Sequence, residues 1–259
     1  MSSAFHKFIM HDPLNLFDQL HTSSQFENIT TGRYGATLVD YRDSLVPIVR
    51  TTTNYKNPSQ QFLPIHHDII DKIKKHMDNG IQFNNALIEV YDQRYFTMVY
   101  HSDQALDLDE NSYICLFSCY SNPLTKNIRK LTIKSKCSNT NFDIVLDHNS
   151  FVLFSVRDNR QYLHKIVLDV PNNKKSGEFD VSDLWLGITF RQSKTLIYFN
   201  NEIPYFKKND KQLSFATNEQ KKQFYKYRSI ENTSSDQSLD EVYPDDIHYT
   251  ISAGDLIPI

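Results

Sequence analysis

The chain has 259 residues, of which 39% are hydrophobic and 23% charged, a balance that is typical of a globular protein and excludes a fully disordered chain. A formal net charge of −3 excludes a uniformly basic nucleic-acid-binding domain, so any contact with nucleic acid must depend on a local surface. This length is enough for one large domain with a core that needs no disulfide or metal to stabilise it.

The cysteines and the apolar runs indicate the compartment. Cys115, Cys119 and Cys137 contain no CxxC pair and are odd in number, which suits a reducing environment. The apolar runs are far shorter than the roughly 20 residues of a membrane span, and the N-terminus lacks a signal-peptide pattern. We therefore expect a soluble intracellular protein of the cytoplasm or nucleus, without a membrane segment.

Two amphipathic helices are predicted before the first strand. The first has Asp12 as a candidate N-cap and Pro13 at its first helical position, and apolar residues follow at helical spacing. The second is predicted over residues 68–77, where isoleucines share one face, lysines share the other and Asn79-Gly80 follows as the stop signal.

Strand-like runs begin near residue 85. They are rich in Val, Ile, Phe and Tyr, and turn residues separate most of them. So many short strands predict a mainly β fold, a sandwich or jelly roll with helices packed outside. The predicted strands cover residues 86–91, 96–100, 113–120, 130–135, 142–146, 151–156, 163–170, 185–190 and 195–199.

The composition changes near the C-terminus. Residues 207–228 are basic and aromatic, and no Lys or Arg follows Arg228. We predict a single domain over residues 1–228, with its core at about 45–200, and an acidic tail over residues 229–259 that is a partly mobile surface segment. The run KKQFYKYR is either a surface for single-stranded nucleic acid or, more commonly for such sequences, one solvated helix face with aromatic residues packed inward.

Four residues are the candidate functional site. His101 and Asp103 are two positions apart, so in an extended segment both side chains point to the same side. With His164 from a later strand they provide two imidazoles and one carboxylate, the ligand set of non-haem Fe(II) oxygenases. Arg191 on a further strand can bind a carboxylate of an oxoacid. The alternatives are a solvated loop for the first pair, a hydrogen-bonded core histidine for His164 and a structural salt bridge for Arg191.

The order of these residues resembles the AlkB-like Fe(II)/2-oxoglutarate-dependent dioxygenases over roughly residues 45–195. The resemblance includes Tyr91 before the HxD pair, Leu146 with His148 in a turn, Tyr162 before His164, and the closing Thr189-Phe190-Arg191. The matching stretches are FNNALIEVYDQRYFTMVYHSD, YICLFSCY, RKLTIKSK, FDIVLDHNSFVLFS, YLHKIV and GITFRQ.

The resemblance implies a double-stranded β-helix, that is, a jelly-roll core. It implies that His101, Asp103 and His164 bind Fe(II), and that Tyr91 and Arg191 contact 2-oxoglutarate. The implied enzyme is an oxidoreductase that uses 2-oxoglutarate and dioxygen to hydroxylate a C–H bond. On an N-methyl group of an alkylated DNA or RNA base, the net result would be demethylation.

The segment before the core corresponds to a lid over the substrate in this family. Arg50, Thr51 and Tyr55, within residues 46–62, are therefore expected to line the substrate pocket. An ordinary edge strand, in which threonines are favoured for their β propensity, is the equally weighted alternative.

The sequence departs from the family pattern around the cosubstrate. Trp185 and Gly187 stand where the family has the first arginine and the asparagine of its R-x-N-x-T-F-R motif, and Glu89 replaces an asparagine. Either another cation binds the distal carboxylate of 2-oxoglutarate, or the cosubstrate lies differently, or oxygenase activity is lost. The candidate substitute cations are Lys134, Lys165 and Arg94.

Three functions therefore remain open. The first is oxidative demethylation of a nucleic-acid base. The second is a dioxygenase that acts on a protein or small molecule, which is favoured by the acidic balance and by Gln104-Ala105-Leu106 where several nucleic-acid demethylases have acidic residues. The third is a catalytically silent AlkB-like protein that binds a nucleic acid or protein partner, which is favoured by Trp185 and Glu89.

Overall fold

The computed structural model describes residues 4–11, 15–76, 80–169, 180–235 and 239–259. The strands are β1 Phe5–Ile9, β2 Glu27–Thr30, β3 Arg33–Val39, β4 Val46–Pro47, β5 Gln60–Gln61, β6 Asn85–Tyr91, β7 Tyr113–Tyr120, β8 Arg129–Ser135, β9 Asn141–Leu146, β10 Ser150–Ser155, β11 Tyr162–Leu168, β12 Trp185–Arg191, β13 Leu196–Asn200, β14 Ile203–Phe206, β15 Ser214–Phe215 and β16 Tyr249–Thr250. The helices are α1 Leu16–Ser23, α2 Pro64–Lys74, α3 Val156–Gln161, α4 Asn218–Thr233 and α5 Leu239–Val242, and a 3₁₀ turn covers Ala253–Leu256.

A double-stranded β-helix is formed by β6, the extended residues 97–101 and the strands from β7 to β12. Residues 97–101 pair with β11 through the isolated bridges Thr97–Val167 and His101–His164. Numbered 1 to 8 in chain order, these described segments alternate between two antiparallel sheets in the orders 1-8-3-6 and 2-7-4-5. This is jelly-roll topology, so the predicted fold class is confirmed.

The first sheet is wider than the sequence predicts. β1 pairs with β10, β3 pairs with β6, and β2 and β5 both pair with β3. The sequence predicts none of these four strands, because short segments such as Gln60–Gln61 carry little periodic signal. Their hydrogen-bond partners lie far away in the sequence, except in the β2–β3 hairpin.

Alternation along β12 divides the core between two layers. Leu186, Ile188 and Phe190 face a buried cluster that includes residues of α1 and α2, whereas Trp185 belongs to the cluster between the two sheets. Each fully buried aliphatic or aromatic side chain of this kind stabilises the fold by about 1.5–3 kcal/mol relative to exposure. Helices α1 and α2 therefore cover the outer face of the first sheet, and its inner face is left for the site.

The two predicted helices exist with shifted ends. α1 buries Phe17 and Leu20 as its pattern predicts, but the predicted Asp12–Pro13 start lies outside the described residues. α2 begins at Pro64, earlier than predicted, because His66 Nδ1 accepts a hydrogen bond of 2.9 Å from the Leu63 amide and satisfies the helix start. It also ends at Lys74, earlier than the predicted residue 77, and residues 77–79 lie outside the described residues.

The C-terminal residues pack against the domain. The predicted boundary at residue 228 falls inside α4, and β16 pairs in parallel with β15. Arg50 donates to the carbonyls of Ile247 and Tyr249 at 3.1 and 2.8 Å, so the chain after α5 is fixed to the core. Within the described ranges, no helix has both the length and the apolar character needed to cross a membrane.

Candidate metal centre and adjoining cavity

His101, Asp103 and His164 meet where the second sheet approaches the loop after residue 101. The backbone amide of each histidine donates to the carbonyl of the other, at 3.0 Å from His101 and 2.8 Å from His164. This antiparallel pair fixes the two imidazoles side by side, with ring centroids 4.7 Å apart. Asp103 follows His101 by two positions and reaches the same point.

The potential ligand atoms converge. The Nε2 atoms of His101 and His164 lie 3.8 and 3.4 Å from Asp103 Oδ1. When one potential ligand atom is taken from each of the three residues, these atoms all lie within 4.8 Å of one another. Metal bonds of about 2.0–2.2 Å place neighbouring ligands about 3 Å apart, so only a small contraction is needed to surround an ion.

The protonation of His101 suits metal binding. Burial and the neighbouring His164 lower the pKa of His101 to about 3, so its ring is neutral at physiological pH. His101 Nδ1 lies 3.0 Å from the Val99 carbonyl, and donation there leaves the lone pair on Nε2. His164 Nε2 lies 3.4 Å from Asp103 Oδ1, and His164 Nδ1 is buried without a hydrogen-bond partner among the described residues.

Asp103 is held as an anion. Burial acts to raise its pKa, but Arg191 and the two histidines outweigh burial and hold the pKa well below its ordinary value. Arg191 Nε donates to Asp103 Oδ2 at 2.7 Å, which leaves Oδ1 directed at the histidines. Arg191 therefore orients the carboxylate as well as stabilising its charge.

A cavity of about 800 Å³ opens onto these residues. Its wall beside the histidines is apolar, and its other walls contain paired charges and polar side chains. The apolar wall comprises Leu116, Leu131, Phe154 and Ile166, and the arginines of the lining are Arg33, Arg50, Arg191 and Arg228.

The predicted substrate residues fall into two groups. Arg50 and Thr51 line the cavity. The Arg50 guanidinium donates from Nε and Nη2 to Asp107 at 2.9 and 2.7 Å, so its charge is already paired. Tyr55 is buried outside the lining, where its ring packs against Gly35.

Tyr91, the predicted contact to 2-oxoglutarate, is also buried outside the lining. Its hydroxyl donates to Glu89 Oε2 at 2.6 Å. Glu89 Oε1 accepts from Arg33 Nε and Nη2 at 2.8 and 2.5 Å. Since Arg33 and Glu89 both line the cavity, the carboxylate that departs from the family pattern is neutralised by a cation on β3. Sequence reasoning missed Arg33 because it precedes the region of resemblance.

Trp185 fills the position at which the family has its first arginine. A Cβ atom added to Gly187 would lie only 2.1 Å from the indole ring, so the indole lies flat against this glycine. Indole Nε1 donates to Ser118 Oγ at 2.7 Å, and the ring centroid is 4.8 Å from that of Tyr91. The position of the family's first arginine is therefore filled by a buried aromatic ring, and the Arg129 guanidinium lies 5.7 Å from the centre of that ring.

The three substitute cations suggested by the sequence do not line the cavity. Lys134 is exposed, Lys165 Nζ lies 4.6 Å from the centre of the Tyr100 ring, and Arg94 pairs with Asp92 at 2.6 Å. The described cavity instead offers Arg191 beside the metal ligands and Arg33 paired with Glu89. Helix α4 adds Tyr225, Arg228 and Asn232 to the lining, and only its basic-aromatic composition marked it in the sequence.

Comparison with known proteins finds distant similarities to solved structures. No protein-family model matches the sequence, and no curated protein matches it. The chain is similar to a prolyl-4-hydroxylase from Pseudomonas putida, with 13% identity and a TM-score of 0.42 over 73% of this chain and 92% of that one. It is also similar to OsALKBH1, with 12% identity and a TM-score of 0.37 over 62% of this chain and 78% of that one. Similarities this distant do not identify a reaction, whereas the strand order and the site geometry are properties of this chain itself.

Proposed function

We propose that the chain is an Fe(II)- and 2-oxoglutarate-dependent dioxygenase. The observation that carries the proposal is the convergence of His101, Asp103 and His164, from two paired segments of a jelly roll and the loop after one of them, beside a cavity large enough for small molecules. Two imidazoles and one carboxylate form a facial ligand set that leaves coordination positions open. The fold, the donor types and their order along the chain all agree with this class.

The donor set fits Fe(II). His101 and His164 would bind through Nε2 and Asp103 through Oδ1, because these atoms already face one another. When bound, Fe(II) with an oxoacid and dioxygen supplies the oxidising power that hydroxylates an unactivated C–H bond. The role of Arg191 is to hold Asp103 ionised and correctly turned, through its 2.7 Å hydrogen bond.

The cavity provides an anion site beside the ligands. Arg191 uses Nε for Asp103, and its two Nη groups donate to no other described residue, so they are available to an oxoacid carboxylate. Leu116, Leu131 and Phe154 form an apolar wall that excludes water from the methylene part of the oxoacid. Arg33 is the cation available to the distal carboxylate, and its existing pair with Glu89 would make that contact weak.

A narrower proposal concerns the substrate. Demethylation of an alkylated DNA or RNA base is supported by the family resemblance and by a cavity volume of about 800 Å³, which exceeds the space that an oxoacid needs. The exposed Tyr225 at the cavity wall offers a stacking surface for a base. A protein or small-molecule substrate is the competing possibility. For either substrate class, the proposed location is intracellular.

The first experiment is to add 2-oxoglutarate to the anaerobic Fe(II) protein and record the visible metal-to-ligand charge-transfer band. We expect a band that is lost in His164→Ala and weakened in Arg191→Met. His6→Ala removes an exposed histidine that does not line the cavity and is the matched control. Iron binding without any band would refute oxoacid use, and retained iron binding in both His101→Ala and Asp103→Ala would refute the ligand assignment.

A second experiment separates the substrate classes. With Fe(II), ascorbate and 2-oxoglutarate, release of formaldehyde from methylated DNA or RNA would establish demethylation. Succinate formation that is stimulated only by peptides or small molecules would favour the competing substrate class.

A catalytically silent binding protein is the second candidate function. The observation that favours it is the aromatic ring of Trp185 over Gly187, which closes the position used by the family's first arginine. This candidate predicts metal binding without any succinate formation, even when nucleic acid, peptide and small-molecule substrates are supplied.

A further inference from the structure

Residues 102–105, the loop segment that contains Asp103, have no strand pairing, yet Ser102, Asp103 and Ala105 are buried. Ser102 and Asp103 are 0% and 6% exposed. Buried amides and carbonyls need partners, and here side chains supply them. On one side, Asn159 of α3 accepts from the Asp103 amide and donates to the Asp103 carbonyl, both at 2.8 Å.

The other partners come from α4, which lies well beyond the last strand of the jelly roll. Asn232 Oδ1 accepts from the Ser102 amide at 2.9 Å, and Arg228 Nη2 donates to the Ser102 carbonyl at 2.6 Å. Glu231 Oε1 accepts from the Ala105 amide at 2.9 Å. Because positions three and four apart share one face of a helix, these three side chains reach the same loop together.

The α4 side chains are themselves fixed. Arg228 and Glu231 form a buried ion pair, with side chains 8% and 4% exposed. Tyr243 donates to Glu231 Oε2 at 2.5 Å, and Lys136 Nζ donates to the Glu231 carbonyl at 2.6 Å. A buried pair with this many hydrogen bonds holds one geometry, so α4 presents a rigid face to the loop.

We infer that α4 is a positioning element of the metal centre, in which Arg228, Glu231 and Asn232 hold residues 102–105 so that Asp103 faces His101 and His164. The inference rests on the proposed metal site. It assigns a role in metal binding to the C-terminal part of the chain, which the jelly-roll core alone would not suggest. Partners that orient metal ligands in this way typically affect metal affinity by about 10–100-fold.

The test uses Asn232→Leu, which keeps the approximate size of the side chain but removes the acceptor for the Ser102 amide. Asn232→Asp retains an acceptor oxygen and is the conservative partner. Asn218→Leu makes the same chemical change in the exposed first turn of the same helix and is the control. For each full-length protein, Co²⁺ affinity is measured by calorimetry, the Co²⁺ visible spectrum is recorded, and the melting temperature is determined with and without Co²⁺.

We expect Asn232→Leu to bind Co²⁺ about 10–100-fold more weakly, with an altered visible spectrum and a smaller metal-induced rise in melting temperature. Asn232→Asp and Asn218→Leu should stay within a few-fold of the unaltered protein. If Asn232→Leu lowers only the melting temperature of the metal-free protein, while Co²⁺ affinity and spectrum are unchanged, the helix has a merely structural role and the inference is overturned.

A second variant keeps the inference testable if Asn232→Leu fails to fold. Arg228→Met with Glu231→Met removes both members of the ion pair, so that neither buried charge is left without its partner. The same loss of Co²⁺ affinity is expected, and unchanged affinity would overturn the inference. The Co²⁺ measurements contain no oxoacid, so they test the metal site separately from the oxygenase activity. If the unaltered protein binds Co²⁺ but makes no succinate in the assay with Fe(II) and 2-oxoglutarate, only the proposed oxygenase activity is refuted. An unaltered protein that binds no metal would refute both.

Discussion

Substituting alanine for Gly187 tests whether the Trp185 indole packs against this glycine, at the position where the family has its first arginine. The added Cβ would lie 2.1, 2.6 and 2.8 Å from three indole carbons, far inside van der Waals contact. The indole must therefore move. It can do so only by disturbing its packing with Tyr91 and its hydrogen bond to Ser118.

The expected destabilisation can be worked out from these contacts. Overpacking of a well-filled core costs about 1–3 kcal/mol. Loss of the buried Trp185–Ser118 hydrogen bond costs about another 1–2 kcal/mol. Alanine recovers about 0.5–1 kcal/mol, because glycine is the less favourable residue within a strand. We expect Gly187→Ala to lower the free energy of unfolding by about 2–4 kcal/mol.

A double-mutant cycle with Trp185→Leu isolates the clash. Urea unfolding of the four proteins, followed by far-ultraviolet circular dichroism, gives the coupling free energy between the two positions. With leucine at position 185 the clash is absent, so Gly187→Ala should be neutral or slightly stabilising. The coupling should then be about 2 kcal/mol or more. Since Trp185 is the one tryptophan of the sequence, its emission gives a second readout in the single variant.

An equal cost of Gly187→Ala in both backgrounds, or an unchanged tryptophan emission spectrum, would refute this placement of the indole. The space over Gly187, at the position of the family's first arginine, would then not be filled by the indole. The result therefore bears directly on whether the oxoacid site is shortened relative to the family pattern.

The remaining predictions concern three buried charged or titratable groups. Glu89→Gln removes a negative charge from the cavity wall and frees Arg33, so 2-oxoglutarate should bind about tenfold tighter by its charge-transfer band, and weaker binding would contradict this account. Arg50→Met leaves Asp107 buried without its cation and should lower the free energy of unfolding by about 3–5 kcal/mol, most of which Asp107→Leu should restore in the double variant. Burial, with a smaller effect of the adjacent histidine, lowers the pKa of His66 from 6.5 to about 4. The folded state therefore binds fewer protons than the unfolded state between these values, and stability falls by up to about 3 kcal/mol as the pH drops from 6.5 to 4. Urea unfolding at pH 7 and pH 4.5 should show a smaller drop for His66→Asn than for the unaltered protein or for the exposed His6→Asn.

The strands of the jelly roll could be predicted because each has a local signal. Runs such as YICLFSCY and SFVLFS are buried on both faces and read as continuous apolar segments. β3 carries a weaker signal, because RYGATLV contains a glycine and begins with two half-buried polar or amphipathic residues. Its pairing with β6 extends over seven residues, and no local sequence pattern predicts these hydrogen bonds.

The candidate site was only partly accessible from the sequence. The separation of His101 and Asp103 by two positions places both side chains on one side of an extended chain. The register of β11 against residues 97–101 then brings His164 to them. Arg33 and Asn232 could not be anticipated, because one lies before the region of family resemblance and the other in a helix whose inward face the composition does not define.

The sequence by itself determined the donor types, the strand periodicity and the order of the motif residues, because these are properties of local patterns and chemical groups. Only the tertiary structure decided which charges are neutralised, where the Trp185 ring lies and which helix fixes the metal-ligand loop. Those contacts join residues far apart in the chain. They depend on sheet register and side-chain packing. The effect of Glu89 on the charge of the cavity can be judged only when its ion-pair partner Arg33 is known.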